Sequence, residues 1–347
     1  MNNITFVDVS GFFTSGSSAM VDLLKEFRGF YESNAEIRFI KDPYGIVEME
    51  NSLVNNWEFI NSSAAISDFL DLCKKGCRNG KGLFAPAGFN LKKTISKDFL
   101  KITEDYITEL TDYTYKVDFY HYKFKKPYLK YIVDRYRWAI EYLSKGKFKT
   151  ANRDIAQCYF AHPSQERFNK ATQKYFNRLF EGHFNNDKEP CFIILDQAVS
   201  PNNTQVIHRY FTKAKMIIID RDPRDMYVDD IQWGENLDKN YQTKEAAERY
   251  ILRAKALRDG IQLDDDILYV RFEDLVVNYD ETRLKILHFL GLEEKDHILK
   301  KQFLKPEVSI KNVGIWRRFY DECHEAIDTI YAALPDLCYD SSALYNK

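Results

Sequence analysis

The stretch GFFTSGSSAM, residues 11–20, contains the residue types that could bind an anion. It lies between an apolar run and the amphipathic stretch VDLLKEF, where a phosphate-binding loop lies in nucleotide-handling folds. Gly11 and Gly16 have the spacing GxxxxG, and Ser17 and Ser18 follow where a Walker loop has lysine and serine or threonine. Backbone N–H groups and the start of the next helix would supply the positive charge. A strand-to-helix turn with a serine N-cap is the alternative interpretation.

The stretch KMIIIDRDPRDMYVDD, residues 215–230, adds two guanidinium groups after another apolar run. Arg221 and Arg224 flank a proline at the start of a predicted helix, and arginine can bind a phosphate in bidentate fashion. Surface ion pairs with Asp222 and Asp225 are the alternative.

Two later stretches also contain candidate binding residues. The first includes an apolar run, and the second includes a glycine. ILYVRFEDLVVNYDETRLKILHFLGL brings Phe272 to the end of a predicted strand, followed by Glu273 and Asp274. SIKNVGIWRRFYDE, residues 309–322, is a glycine-containing loop with cationic side chains around a tryptophan. The cations are Lys311, Arg317 and Arg318.

The elements that must position these residues are those of an α/β protein. Ligands of doubly wound sheets bind beyond the carboxyl ends of the strands, which is where the four stretches fall. We predict a doubly wound, mostly parallel, P-loop-like sheet of about five strands, because helical periodicity follows most of the apolar runs. The predicted strands are residues 4–9, 36–40, 191–195, 216–219 and 267–270.

The sequence predicts one α/β domain over residues 1–347, with a large helical insertion over residues 51–188 between strands 2 and 3. A net charge of −2 gives no global attraction to nucleic acid, so no nucleic-acid partner is expected. Six scattered cysteines without CxxC pairs favour reduced thiols and no metal site. With neither a signal peptide nor a membrane span in the pattern, we expect a cytoplasmic protein.

Taken in this order, the four stretches resemble the sulfotransferase family, in particular bacterial carbohydrate sulfotransferases. Members of that family transfer a sulfuryl group from 3'-phosphoadenosine 5'-phosphosulfate (PAPS) to an acceptor hydroxyl or amine. The resemblance covers both ends of the chain and residues from about 190 to 322, and it leaves the insertion unmatched. It implies that PAPS is the donor and that no metal is required.

The resemblance also implies roles for particular residues. The first loop would surround the 5'-phosphosulfate, Arg221 would bind the 3'-phosphate, Phe272 would lie beside the adenine, and the late loop would close over the 3'-phosphate. The first-loop residues are Thr14, Ser15, Gly16, Ser17 and Ser18, and those of the late loop are Lys311 and Gly314.

Three departures from the family pattern remove positive charge or a donor. Thr14 stands where the family usually has lysine or arginine, and Asp229 stands where a serine assists the arginine. LDQAV replaces a basic stretch after the third strand. Asp229 favours a rival hypothesis, since a carboxylate repels a 3'-phosphate but accepts a hydrogen bond from a free 3'-hydroxyl. The alternatives are therefore an ATP-dependent phosphotransferase or a catalytically inactive nucleotide- or glycan-binding relative.

Transfer to a hydroxyl requires a general base near the donor. Asp196, directly after the third predicted strand, is the first candidate for this base. A structural role as the cap of the following helix is the alternative for Asp196. We also predict that Ser17 is a catalytic residue. Glu48 and Glu50 are the next candidates, and we interpret His208 as an ordinary half-exposed histidine.

The insertion contains a basic, aromatic segment. Residues 115–149 hold ten Lys or Arg, three Asp or Glu and eleven aromatic residues. This composition suits a saccharide, polysaccharide or lipid-linked glycan acceptor, with an acidic or lipid-linked saccharide as the working hypothesis and peripheral membrane contact compatible with it. An amphipathic core helix with a solvated basic face is the alternative for YLKYIVDRYRWAIEYL.

Overall fold

The protein is described by a computed structural model that covers residues 4–80, 87–117, 127–148, 156–183, 191–233 and 240–345. The chain forms two compact units. The sheet unit comprises residues 1–41, 91–97 and 176–347, and the helical unit comprises residues 42–90 and 98–175. The helical unit thus begins before the predicted start of the insertion at residue 51.

The sheet unit is built on five parallel strands, which are β1 (Ile4–Gly11), β2 (Phe30–Glu36), β5 (Cys191–Asp196), β6 (Ala214–Asp220) and β7 (Ile267–Arg271). Their order in the sheet is β2-β5-β1-β6-β7. This confirms the predicted α/β class and the mostly parallel sheet. Strand β1 lies at the centre, so the residues that follow it are flanked by the ends of β5 and β6.

The predicted second strand was wrong, whereas the other four are confirmed with small changes at their ends. The strand lies at residues 30–36, and the predicted residues 36–40 follow it. Ile37, Phe39 and Ile40 are buried outside any strand, which explains their apolar character. The observed strand is at the edge of the sheet, where fewer apolar residues are needed than in a central strand.

Some helices of the sheet unit bury their apolar faces against the sheet, and others form a second apolar cluster among themselves. Helix α1 illustrates the cause: Met20, Val21, Leu23 and Leu24 are buried in a cluster with residues of β1 and β6. Burial of such side chains is worth roughly 1.5–3 kcal/mol each. The helices of the sheet unit, with α7 shared between the units, are α1 (Ser17–Lys25), α4 (Leu91–Thr94), α7 (Gln165–Phe180), α8 (Val206–Tyr210), α9 (Pro223–Gln232), α10 (Lys244–Arg258), α11 (Phe272–Val277), α12 (Tyr279–Leu290), α13 (Pro306–Ser309), α14 (Tyr320–Ala333) and α15 (Ser342–Tyr345).

The helical unit also contains a pair of antiparallel strands that the sequence pattern did not predict. A π-helical turn, Asn51–Asn55, follows α2 directly. The elements of this unit are α2 (Ile46–Glu50), α3 (Phe59–Gly76), α5 (Phe99–Leu110), β3 (Tyr113–Val117), α6 (Tyr128–Leu143) and β4 (Ala156–Phe160).

Helix α6 is not the core helix that its amphipathic pattern suggested. The helix is present, but none of its residues, all of them described, is buried. Leu129 and Leu143 are 77% and 79% exposed, because no described element covers the apolar face. The remainder of the basic segment, residues 118–126 and 149, lies outside the described residues.

All six cysteines are free thiols. A search of the described residues finds no helix that is long and apolar enough to cross a membrane. The same residues contain no group of three or more His, Cys, Asp or Glu that could hold a metal ion.

Candidate functional site

The first loop joins β1 to α1 and presents an uncapped helix start. Gly16 is the N-cap residue of α1, has a left-handed φ of 92° and receives no side-chain cap. The serine N-cap interpretation was therefore wrong. A Cβ atom at Gly16 would lie 2.5 Å from Phe272 Cδ2, so glycine is required by packing as well as by φ. The first turn contains no acidic residue, and its N–H groups are suited to an anion.

The hydroxyl groups of this loop divide into internal and outward ones. Ser15 is buried, and its Oγ accepts the Phe12 N–H at 3.0 Å. Thr14 has a left-handed φ of 59°, and its Oγ1 donates to the Met226 carbonyl at 3.2 Å. Ser17 is half-buried and Ser18 is exposed. The last two are thus the hydroxyls that a ligand at the helix start could reach.

Arg221 connects the first loop to the late loop. It follows β6, the neighbour of β1, and its side chain is only 4% exposed. Nη1 donates to the Thr14 carbonyl at 3.0 Å, and Nη2 donates to the Asn312 carbonyl at 2.5 Å. Nε is buried without a hydrogen-bond partner among the described residues. The guanidinium therefore points at the predicted loop and keeps one N–H group for another acceptor.

Asp229 lies against this guanidinium. Its carboxylate accepts a hydrogen bond from Arg221 Nη1 and forms an ion pair with it. Asp229 lies on α9, eight residues after Arg221, at the position where the resemblance expects a serine hydroxyl. The local positive charge that Arg221 brings is thus balanced by the protein itself.

The late loop is held in place by a second carboxylate of α9. Asp225 is buried and accepts the N–H groups of Gly314 at 2.7 Å and of Trp316 at 3.0 Å. Burial raises the pKa of Asp225 to about 7, and the nearby Arg221 charge opposes that rise. Lys311 is exposed, and its carbonyl accepts a hydrogen bond from Arg318 Nη2. Asp225 was assigned only to ion pairing by the sequence, although it anchors this loop.

Phe272 completes the cluster around Arg221. Its buried ring contacts Gly16 and lies 5.2 Å from the Arg221 guanidinium carbon. The structure thus brings together Thr14, Gly16, Arg221, Asp229 and Phe272, with the late loop joined through a backbone carbonyl.

Arg224, in contrast, belongs to an internal ion pair. Its Nη2 lies 2.6 Å from Asp222 Oδ2, and both side chains are nearly buried. Asp222 also accepts the Tyr339 N–H at 2.8 Å, and Arg224 Nη2 donates to the Tyr339 carbonyl at 3.0 Å. Arg271 donates to the Leu337 carbonyl at 2.8 Å. Arg224 is thus paired with Asp222 as the alternative expected, but the pair is buried rather than at the surface, and it holds the chain at Tyr339.

Asp196 ends β5 beside the start of the first loop, with Val9 of β1 as its register partner. Burial raises the pKa of Asp196 to about 6, and the carboxylates of Glu36 and Glu32 add to this. Its Oδ1 is buried without a hydrogen-bond partner among the described residues. A carboxylate with this pKa can accept a proton near neutral pH.

Lys41 is a cation of this edge that the sequence reasoning missed. Its positive charge lowers the pKa values of Asp196 and Asp8, opposing the larger effect of burial. Its Nζ donates to Gln197 Oε1 at 3.2 Å. A lysine directly after the predicted strand 36–40 was the available signal.

The other residues considered as the general base, Glu48, Glu50 and His208, lie elsewhere or have other partners. Glu48 and Glu50 belong to the helical unit; Glu50 is buried and accepts from Gln165 Nε2 at 2.6 Å. His208 Nε2 lies 2.8 Å from Asp264 Oδ2 near the surface.

Comparisons with known proteins address the family directly. The model of the Sulfotransferase family matches residues 116–296, which is 181 of 347 residues and just over half of the chain. The match begins within the helical unit, which the sequence resemblance had left unmatched. A search of curated proteins finds no match.

Several solved structures are similar over almost the whole chain. The sulfotransferase domain of the Synechococcus PCC 7002 olefin synthase is 15% identical, with 98% of this chain and 96% of that chain covered and a TM-score of 0.40. The sulfotransferase domain of the curacin biosynthetic pathway is 11% identical, with coverages of 96% and 98% and a TM-score of 0.39. A retinol dehydratase bound to androsterone and the inactive cofactor PAP is 13% identical, with coverages of 98% and 84% and a TM-score of 0.32.

The family match spans β5, β6 and β7, and with them the strand ends that carry Asp196, Arg221 and Phe272. The chain therefore belongs to the sulfotransferase family and is a transferase.

Proposed function

We propose that the protein transfers a sulfuryl group from PAPS to a hydroxyl group of a saccharide or glycolipid. The observation that carries this proposal is the position of Arg221. Its guanidinium is directed at the first loop and the late loop, and its Nε–H is buried without a partner among the described residues. A buried N–H group without an acceptor costs about 1–3 kcal/mol, and an anionic ligand would remove that cost.

The donor would be held by groups from four parts of the sheet unit. The N–H groups at the start of α1 and the hydroxyls of Ser17 and Ser18 suit the 5'-phosphosulfate. Arg221 and the loop around Gly314 suit the 3'-phosphate, and Phe272 offers an aromatic ring to the base. These groups fit the donor, provided that the Asp229 carboxylate moves away from Arg221.

The reaction would be an in-line displacement at sulfur. The acceptor oxygen attacks the sulfur atom while the bond from sulfur to the bridging oxygen of the 5'-phosphate breaks. The acceptor proton passes to Asp196, and adenosine 3',5'-bisphosphate leaves with the electrons of the broken bond. Negative charge develops on the bridging oxygen, where the N–H groups of the first loop and the Lys41 ammonium can stabilise it.

One observation favours a second candidate function. The Asp229 carboxylate is hydrogen-bonded to Arg221, so it would oppose a 3'-phosphate and accept a hydrogen bond from a 3'-hydroxyl. ATP has that hydroxyl, and an ATP-dependent phosphotransferase is therefore the alternative. The first loop lacks the lysine that reaches the β- and γ-phosphates in such enzymes.

Calorimetric titration separates the two functions. Adenosine 3',5'-bisphosphate should bind the native protein without Mg²⁺, and ADP with or without Mg²⁺ should bind more weakly. Binding of ADP alone would contradict the sulfotransferase proposal. A radiolabelled-PAPS assay against pooled glycans then tests transfer, with loss of product expected in both Arg221→Ala and Asp196→Asn. Binding of the bisphosphate without transfer would identify an inactive nucleotide-binding relative.

A further inference from the structure

The helical unit contains a cleft of about 280 Å³ that none of the residues discussed for the donor lines. One wall comes from α3, whose residues Asn61, Ala64, Ala65 and Asp68 have the spacing i, i+3, i+4, i+7 and so share one face of the helix. The two alanines have small side chains, which leaves space between the polar groups at either end. The size is close to the lower end of ligand pockets, roughly 300–1,000 Å³.

The opposite wall comes from residues 44–56. Asn51 and Asn56 close the π-helical turn: the Asn56 N–H donates to the Asn51 carbonyl at 2.8 Å, and the Asn56 side-chain amide donates to Asn51 Oδ1 at 2.8 Å. Ser52 lies in the same turn. Both asparagines line the cleft, and π-helical turns recur at functional sites.

The polar groups of this cleft are neutral hydrogen-bonding groups for the most part. The lining contains Glu48 and Asp68 but no Lys, Arg or His. The Asn61 backbone N–H donates to Glu58 Oε2 at 2.9 Å, whereas the Asn61 side-chain amide and the Ser52 hydroxyl have no hydrogen-bond partner among the described residues, so both can bond to a ligand. The two carboxylates would repel an anionic ligand.

These groups match the chemistry of sugar hydroxyls. A hydroxyl group donates and accepts hydrogen bonds, and asparagine and serine side chains also do both. The Tyr44 ring lies at the cleft, is 54% exposed and offers an apolar face to the C–H side of a sugar ring. The Tyr44 N–H donates to Glu48 Oε2 at 2.6 Å, which fixes the loop that carries the ring.

We infer that this cleft binds an uncharged saccharide through Asn61, Ser52 and the Tyr44 ring. Its use as the acceptor site rests on the proposed function, whereas the binding itself does not. The inference also narrows the acceptor class, because an acidic saccharide is disfavoured by the two carboxylates of the lining.

Saturation-transfer NMR without nucleotide tests the inference. The probes are three uncharged disaccharides, namely maltose, lactose and N,N'-diacetylchitobiose, together with a heparin-derived disaccharide. The native protein should transfer saturation to at least one uncharged probe and not to the anionic one. Ala65→Phe fills the cleft and should abolish the signal. Asn61→Ala should weaken binding about fivefold, as expected for one lost hydrogen bond.

Asn55→Ala is the matched control, because Asn55 is exposed in the same π turn and does not line the cleft. It should leave binding unchanged. Absence of signal from all three uncharged probes, an unchanged signal in Ala65→Phe, or stronger binding of the heparin-derived probe would each overturn the inference. Titration of the same variants with adenosine 3',5'-bisphosphate verifies folding and tests the donor proposal separately, so the two failures are distinguishable.

Discussion

The edge of the sheet and the cleft of the helical unit use polar side chains in opposite ways. At the edge, Arg221 donates to the Asp229 carboxylate, and Asp225 accepts an N–H group of the late loop. Arg221 and Asp225 are almost completely buried. In the cleft, Asn61 and Ser52 have no such bonds among the described residues. A ligand of the edge must therefore compete with internal hydrogen bonds, which favours a highly charged molecule. A ligand of the cleft needs only to replace water.

Asp196 Oδ1 resembles Arg221 Nε in being buried without a partner among the described residues, and removal of the Asp196 carboxylate should have the largest effect. Asp196→Asn should lower kcat by about 10²–10⁴ if the carboxylate is the general base. In the native protein, the rate should fall about tenfold per pH unit below about pH 6, because protonation removes the base.

The stability of the same variant separates catalysis from structure. The pKa of Asp196 in the folded protein is raised from the ordinary aspartate value of 3.8 to about 6, so ionisation of this carboxylate lowers stability as the pH rises from about 4 through 6. Asp196→Asn should therefore have an equal or higher Tm at pH 8. A lower Tm together with retained turnover would assign the residue a structural role.

Removal of the central cation of the edge should have the next largest effect. Arg221→Ala leaves Asp229 and two backbone carbonyls without their donor. We expect adenosine 3',5'-bisphosphate to bind about 100-fold more weakly and the free energy of unfolding to fall by about 3–5 kcal/mol. Calorimetry and urea denaturation measure the two quantities. The exposed Arg28→Ala is the control, and an equal loss in both variants would contradict the assignment.

Gly16→Ala tests the packing of the first loop. The added Cβ would lie 2.5 Å from the Phe272 ring, in a backbone conformation with φ of 92°. We expect a loss of about 3 kcal/mol in the free energy of unfolding and weaker bisphosphate binding. Gly260→Ala has a similar φ of 78°, but the nearest atom is 3.8 Å away. It should lose only about 1–2 kcal/mol and bind normally. Similar losses would show that contact with Phe272 is unimportant.

Asp229→Ser should give the smallest change, and in the opposite direction. The substitution removes a negative charge that competes with a phosphate for Arg221. We expect about tenfold tighter binding of adenosine 3',5'-bisphosphate, equivalent to about 1.4 kcal/mol, and no gain for ADP. Tighter binding of ADP instead would support the phosphotransferase. Asp259→Ser, at an exposed position, is the control for loss of a surface charge.

Most of the fold was predictable from the sequence, because buried parallel strands are continuous apolar runs. Strands β1, β5, β6 and β7 are of this kind. The edge strand β2 has the sequence FYESNAE and gives no such signal. The strands β3 and β4 were missed because they lie in a segment dominated by helical periodicity, where pairing depends on tertiary contacts.

Part of the candidate site was predictable, because residues that follow neighbouring parallel strands must lie close together at the same edge of the sheet. Arg221 and Gly16 follow adjacent strands, and their proximity follows from that topology. The partners of Arg221 were not predictable, because the carbonyls of Thr14 and Asn312 are backbone groups that every sequence contains. The cleft was not predicted either. It depends on the π-helical turn Asn51–Asn55, and the sequence of this turn does not distinguish it from an α-helix.

The buried Arg224–Asp222 pair has a practical consequence for handling the protein. Both partners also bond to the backbone of Tyr339, so two desolvated charges hold the chain at this residue. Proteolytic removal of Tyr339 would therefore take one hydrogen-bond partner from each member of this pair. Truncated variants of the protein should therefore retain Tyr339, since its backbone completes the hydrogen bonding of the buried pair.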